Sequence, residues 1–355
     1  MSKTLFFELE NWEKDYVETS SSKSEVVLQV SPKSDFGFVE GVLNDETVVN
    51  LNEEQKSAEI ISIFVDSRIT EQVLAQFPNL KLICTRSTGY DHIDIELCKS
   101  KGVAVATVPS YGEETVAEYA FALILTLSRK VFEAYDRIKE TGKFDLKGLR
   151  GFDLNKKTLG VIGTGKIGKN VIEIAKGFNM RVIAYDKFPD KAYQQKMGYE
   201  YLSLDEVLAQ ADIVTLHVPF IPTSSNEAGN EHMINAESLA KMKKGAYLIN
   251  TARGALVDTD ALLKSLQSGH LAGAGLDVLE EEGVIKDELN FLTGSHPSEH
   301  NLKTVLENHI LADMPNVVVT PHNAFNTWEA LKRILDTTLA NIQSFSAGTP
   351  QNLVK

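Results

Sequence analysis

The chain is 355 residues long, with 43% hydrophobic residues, 24% charged residues and a formal net charge of −13. That length exceeds what one hydrophobic core usually fills, so two domains are expected, and average globular usage excludes a fibrous or disordered chain. Acidity on this scale disfavours nucleic acid or an anionic membrane as the main partner, since either would call for clustered Lys and Arg.

Up to Pro109, short apolar runs alternate with polar helical stretches: Glu59 to Val65, Thr70 to Gln76, Leu80 to Cys84, and Val103 to Val108 closed by Pro109. Glu113 to Arg129 then carries apolar residues at helical spacing, as a helix leading out of a first domain would. Its apolar stretch, Val116 to Leu127, is interrupted by Glu118 and is too short to cross a bilayer. A second alternation begins at Thr158 and continues through Arg181 to Tyr185, Ile213 to Val218, Ala246 to Asn250, Ala272 to Leu276 and Val317 to Thr320. Strands alternating with helices imply an α/β fold with parallel sheets covered on both faces. The last helical run, Thr327 to Ala347, has room to return to the first domain. Met1 to Asn11 lacks the features of a secretory signal, so a cytoplasmic protein is expected. Cys84 and Cys98 give neither a disulfide framework nor a zinc spacing and are read as reduced structural residues, with no metal expected.

The sharpest local signal is Leu159-Gly160-Val161-Ile162-Gly163-Thr164-Gly165-Lys166-Ile167-Gly168, an apolar strand running directly into Gly-x-Gly-x-x-Gly and a helical pattern. Gly163 permits the tight turn, Gly165 lets the backbone approach a pyrophosphate, and Gly168 lets the helix pack on the strand. Lys166 and Ile167 open the helix whose N-terminus faces the phosphates, and count with the cofactor loop. Asp186 ends the next strand, where an acidic side chain accepts hydrogen bonds from the adenosine ribose and repels a 2′-phosphate. NAD is therefore favoured over NADP, although Lys187 beside it would soften the discrimination. Without its strand and helix context the motif would read as an ordinary glycine-rich turn, and Asp186 as a turn residue.

Further segments, taken in order, carry a resemblance: Ser87-Thr88-Gly89-Tyr90-Asp91-His92-Ile93-Asp94, Val108-Pro109-Ser110-Tyr111, Val116-Ala117-Glu118, Asn250-Thr251-Ala252-Arg253-Gly254, Leu276-Asp277-Val278 and Thr320-Pro321-His322-Asn323-Ala324-Phe325. With the glycine fingerprint they resemble the D-isomer-specific 2-hydroxyacid dehydrogenases over nearly the whole chain, and within that family the D-lactate dehydrogenase branch. The resemblance implies two Rossmann-like or flavodoxin-like parallel-sheet domains, with the nucleotide-binding domain inserted into a discontinuous substrate domain. Residues 1–111 and 324–355 would form the substrate domain and 112–323 the NAD-binding domain, with the active site between them and a homodimer formed through the nucleotide-binding domain.

Reduction of a 2-oxo acid needs a hydride donor, a proton donor for the ketone oxygen and a cation for the carboxylate. Arg253, in a turn after an apolar strand, offers a planar fork of donors for carboxylate and carbonyl oxygens. His322, at the end of another strand, is the candidate general acid. A carboxylate beside its ring would favour the imidazolium and fix its orientation. The family's Asp-Val-x-Glu-x-Glu pattern reads here as Asp277-Val278-Leu279-Glu280-Glu281-Glu282 and puts Glu282 in that place, whereas an adjacent run of glutamates taken alone is a solvated loop. Thr251 and Asp277 resemble positions near the nicotinamide, and Val218-Pro219 the turn over the adenine side, while Asp277 could equally be a buried acid satisfied by backbone amides.

For the substrate, the resemblance gives Thr88 and Gly89 a carboxylate-binding role through backbone amides, and Tyr111 a substrate-side position that a hinge packing residue would equally occupy. Phe64 could add an apolar wall. The branch assignment rests on Asn323-Ala324-Phe325-Asn326-Thr327 and on the polar segment Gly283 to Ala312, whose His296, His300 and His309 lack a metal-binding pattern. The expected reaction is reversible, NADH-dependent reduction of a small 2-oxo acid, pyruvate first, to the D-2-hydroxy acid. Hydroxypyruvate, glyoxylate or a longer oxo acid are alternatives, because a methylene shifts preference by only about 1–3 kcal/mol. A non-enzymatic NAD-sensing protein of the co-repressor type is the alternative of another class.

Overall fold

The computed structural model describes residues 3–23, 35–222, 229–283 and 302–354. They divide into two compact units, Met1–Tyr111 with Thr327–Lys355, and Gly112–Asn326.

The first unit is built on five parallel strands, β1 (Lys3–Phe6), β2 (Asp35–Phe38), β3 (Ile60–Ile63), β4 (Leu82–Thr85) and β5 (Ala104–Ala106), in the order β2-β1-β3-β4-β5. All four residues of β3 and of β4 are buried, the continuous apolar pattern of a strand covered on both faces. One face packs Leu5, Ile61 and Ile83 against Val73, Phe77 and Cys98; the other packs Phe6, Leu82 and Cys84 against Leu335, Leu339 and Ile342. The second set lies on the terminal helix Trp328–Ser346, capped by Thr327. β5 is shorter than the run Val103 to Val108 suggested. Past Ala106 the pairing with β4 loses register, Val108 N donating to Ser87 O, while on the outer edge Thr107 N donates to Asn352 O of the C-terminal segment.

The second unit holds seven parallel strands: β6 (Thr158–Ile162), β7 (Arg181–Tyr185), β8 (Glu200–Tyr201), β9 (Ile213–Leu216), β10 (Tyr247–Asn250), β11 (Gly273–Leu276) and β12 (Val317–Val319). Their order, β12-β11-β10-β9-β6-β7-β8, is that of a Rossmann sheet and reverses between β6 and β9, the crevice where such sheets bind dinucleotides. On one face α5 (Glu113–Arg129) crosses α7 (Lys166–Gly177), burying Ala117, Ala120, Phe121, Val171, Ile172 and Ala175. On the other, α9 (Leu204–Gln210), α10 (Ala236–Lys241), α11 (Thr259–Gln267) and α12 (Leu302–Asp313) cover Val214, Leu216, Leu248 and Leu276. After α5 comes α6 (Val131–Thr141), which contributes no buried residue.

Candidate active site

The second unit gathers most of the residues that the sequence singles out. β6 ends at Ile162 and the chain turns at Gly163, whose φ of +94° and distance of 2.6 Å from a built Cβ to His217 O leave no place for a side chain. Gly168 sits one helical turn on, where a Cβ would lie 2.0 Å from Gly163 O. Gly165 caps α7 without a side-chain hydrogen bond, and nothing lies within 4 Å of its Cβ direction. The first amides of α7 are thus presented beside open space, the arrangement that binds a phosphate group. Lys166 pairs with Glu113 at 3.2 Å, and Ile167 packs half-buried on the α5–α7 face. Val218 borders the same turn, its Cγ1 2.8 Å from the built Cβ of Gly163, and Pro219 follows it.

Asp186, just after β7, is drawn onto this loop. Its Oδ2 accepts from Thr164 N at 2.6 Å and Thr164 Oγ1 at 2.9 Å, while Oδ1 accepts from Phe188 N at 2.7 Å. Thr251, past the end of β10, is 8% exposed and its Oγ1 is buried with no hydrogen-bond partner. A buried hydroxyl is normally satisfied. Together with the open cradle above Gly165, this orphaned oxygen fits a dinucleotide lying along the carboxyl ends of β6 and β10. Among the described residues, no cluster of His, Cys, Asp or Glu is placed to hold a metal ion.

Arg253 is held by its turn. Asn250, 1% exposed, donates from Nδ2 to Arg253 O at 2.8 Å and accepts from Ala252 N at 3.0 Å, curling the chain at the end of β10. The next residue, Gly254, lies so close to the Leu279–Glu280 backbone that a Cβ would fall 2.1 Å from Leu279 C. The arginine turn is therefore packed directly on the loop that carries the three glutamates.

Within that loop the glutamates divide their tasks. Glu280 meets His232 Nε2 at 2.6 Å, accepts from Thr259 N at 3.0 Å, and has its carbonyl held by Asn308 Nδ2 at 2.7 Å, which ties the loop to α11 and α12. Burial opposes a charge on His232, but the hydrogen bond and the charge of Glu280 prevail, so its imidazole is held above its ordinary range. Glu282 turns the other way and reaches His322 Nδ1 at 2.9 Å, both side chains being about one-third exposed.

His322 has a φ of +52°, in the left-handed region. The strain is held by Asp277, 1% exposed, whose Oδ1 accepts from Thr320 Oγ1 at 2.6 Å and Asn323 N at 2.8 Å and whose Oδ2 accepts from Ala324 N at 2.9 Å. Its carbonyl also accepts from His322 N at 2.8 Å. Burial pushes the Asp277 carboxyl up, against the pull of these hydrogen bonds. The geometry makes Asp277 first a positioning residue for the histidine turn.

Thr88, Gly89 and Tyr111 belong to the first unit. Thr88 Oγ1 donates to Val108 O at 2.8 Å and Ser87 Oγ to Gly89 O at 2.6 Å, so the loop after β4 is shaped by its own hydroxyls. Tyr111 accepts at its carbonyl from Arg333 Nε at 2.6 Å. Phe64 stands 5.7 Å from the buried Arg86 guanidinium, measured to the ring centroid. His309 is exposed on α12, whereas His296 and His300 lie outside the described residues. Thr164, Asn250 and Glu280 support the site from inside the quoted motifs without having been given a role there, and His232 carried no sequence signal.

The family described as D-isomer specific 2-hydroxyacid dehydrogenase, NAD binding domain, matches residues 121–324. A 2-hydroxyacid dehydrogenase homolog of Zymomonas mobilis is 41% identical over 309 residues, covering 86% of this chain and 89% of that protein. An aromatic 2-oxoacid reductase of Clostridium sporogenes is 39% identical over 323 residues, covering 89% and 92% respectively. The crystal structure of D-lactate dehydrogenase from Aquifex aeolicus, complexed with NAD and lactic acid, superposes with a TM-score of 0.78 at 36% identity, covering 98% of this chain and 96% of that one. A Rossmann sheet with an open glycine cradle, matched along nearly its full length by these relatives, places the chain in the family of NAD-dependent D-isomer-specific 2-hydroxyacid dehydrogenases.

Proposed function

We propose that the protein reduces a small 2-oxo acid, pyruvate foremost, to the D-2-hydroxy acid, and that it runs the reaction in both directions. The observation that carries this reading is the Glu282–His322 pair at 2.9 Å, beside a loop on which the Arg253 turn is packed. Bound NADH supplies the hydride that adds to the substrate's C2. Arg253 orients the acid by binding its carboxylate and ketone oxygens through a planar fork. With Nδ1 engaged by Glu282, His322 has Nε2 left to deliver the proton to the ketone oxygen, and in the reverse direction to remove it from the hydroxyl. Glu282 holds the ring and balances its positive charge. We assign the backbone of Thr88 and Gly89, with Tyr111, to substrate binding, and Gly163, Gly165, Lys166, Ile167, Gly168, Asp186, Val218, Pro219, Thr251 and Asp277 to the neighbourhood of the cofactor.

D-lactate dehydrogenase relatives support pyruvate. The Clostridium relative, named for aromatic 2-oxo acids, supports a second reading in which the pocket takes a larger side chain. NADH consumption with pyruvate, phenylpyruvate, hydroxypyruvate and glyoxylate, followed by chiral analysis of the product, decides between them. D-lactate formed fastest supports the first, a faster aromatic acid the second, and an L-product refutes both. Arg253→Ala is expected to lower kcat/KM by about 10²–10³-fold while NADH still binds, as for loss of a donor that engages the reacting oxygen.

The same reading makes the protein a cytoplasmic homodimer. Its support is an apolar face on the second unit, where Val131, Phe132, Tyr135 and Ile138 of α6 stand exposed together and Phe144, 93% exposed, and Leu146 follow. A contiguous patch of this kind marks an interaction surface. Among the described residues no helix is long and apolar enough to cross a membrane.

A further inference from the structure

We propose that Tyr199, Tyr201 and Thr164 form a one-way hydroxyl relay that positions the Asp186 carboxylate and thereby sets the preference for NAD over NADP. The inference rests on the assignment of Asp186 to the adenosine ribose. Its direction follows from counting protons. A carboxylate only accepts, so the single proton of Thr164 Oγ1 goes to Asp186 Oδ2, 2.9 Å away. The contact of Thr164 Oγ1 with Tyr201 Oη at 2.7 Å must then be donated by the tyrosine. With its own proton spent, Tyr201 accepts from Tyr199 Oη at 2.9 Å and from Asp190 N at 3.1 Å. Every hydroxyl from Tyr199 to Asp186 points the same way. Tyr199 stays a donor, because burial and its neighbours push its phenol well above the usual range.

The relay has a steric consequence. Thr164 is 4% exposed, and its N–H and hydroxyl both end on one carboxylate oxygen, so Asp186 cannot swing away from the glycine loop without breaking them. Oδ1, bonded to Phe188 N at 2.7 Å, keeps a lone pair for a ribose hydroxyl. The setting beyond it would otherwise suit a phosphate. Lys187 follows directly in sequence, and Lys191 Nζ lies 5.2 Å from the centroid of the Tyr201 ring. A carboxylate free to rotate outward would leave these cations to attract a 2′-phosphate, whereas a fixed one keeps a negative charge in the way.

The test is the ratio of the Kd values for NADPH and NADH, read from nicotinamide fluorescence on the full-length protein without substrate. Thr164→Val, which keeps the side-chain shape, and Tyr201→Phe, which leaves the Thr164 proton undirected, are each expected to lower that ratio, by about tenfold and about threefold. Thr164→Ser restores the hydroxyl and is expected to restore the ratio. Asp186→Ala is the control for the underlying assignment: if it leaves the ratio unchanged, Asp186 is not at the ribose. If Asp186→Ala collapses the ratio while Thr164→Val and Tyr201→Phe keep the parent value, or weaken both coenzymes equally, the relay is overturned and the assignment stands.

Discussion

Replacing Asp277 by asparagine separates the positioning of His322 from its chemistry. Asparagine keeps the shape of the side chain but turns one terminal atom into a donor. With its oxygen towards Thr320 Oγ1 and Asn323 N, the new amide nitrogen meets Ala324 N–H, donor against donor, at a position 1% exposed. Loss of one charge-assisted hydrogen bond costs about 1.5–3 kcal/mol, and the unsatisfied buried donors add about 1–3 kcal/mol. Part of this is returned, because burial already penalises the native carboxylate and holds its protonation upward. A net loss of about 3 kcal/mol lowers the melting temperature of a unit spanning Gly112–Asn326 by roughly 6–12 °C. Turnover should fall further than NADH affinity, since His322, held at a φ of +52° by this network, is freed to leave Glu282. Thermal denaturation followed by circular dichroism, with kcat and NADH fluorescence titration, reads all three. A melting temperature within about 2 °C of the parent together with unchanged kcat would refute the argument.

Gly168→Ala places a methyl 2.0 Å from Gly163 O and is expected to abolish NADH binding by forcing α7 off the glycine turn; retention of the parent Kd in a fluorescence titration contradicts that packing. His217 is held neutral, its imidazole pushed down to about 3 by burial. Since the unfolded chain takes up that proton below pH about 6.5 and the folded chain does not, stability falls on acidification, by up to about 1.4 kcal/mol per pH unit. Urea unfolding at pH 7 and at pH 5.5 checks this, because His217→Gln should lose less stability between the two than the parent does. Phe132→Asp with Tyr135→Asp puts two charges on the exposed face of α6 and is expected to halve the mass seen in sedimentation; an unchanged mass removes that face from the dimer.

Local patterns in the chain were enough to place several of these parts. The strand, the glycines at 163, 165 and 168 and the start of α7 lie within a dozen residues, and the stereochemistry of a phosphate-binding turn demands that order. The helix Glu113–Arg129 was likewise legible, because its apolar residues recur at helical spacing. Strand ends were less so. β5 stops at Ala106 because Val108 N goes to Ser87 O in the loop after β4, out of ladder register, and its outer edge is met by a C-terminal segment more than two hundred residues away.

The hydrogen-bond partners of the acids were decided by tertiary structure alone. The family pattern had put Glu282 beside the histidine, but only the fold shows Glu280 taken by His232, Thr259 and Asn308, and Glu282 meeting His322 across forty residues of chain. The bonds of Asp277 to Thr320, Asn323 and Ala324 were likewise beyond local pattern, and the tyrosines behind Thr164 gave no signal at all. Periodicity and turn chemistry report what neighbours in sequence impose on one another. Which donor satisfies a buried carboxylate is fixed only when the sheet brings separate strand ends together, because the cost of leaving that group unpaired is felt only once water has been excluded.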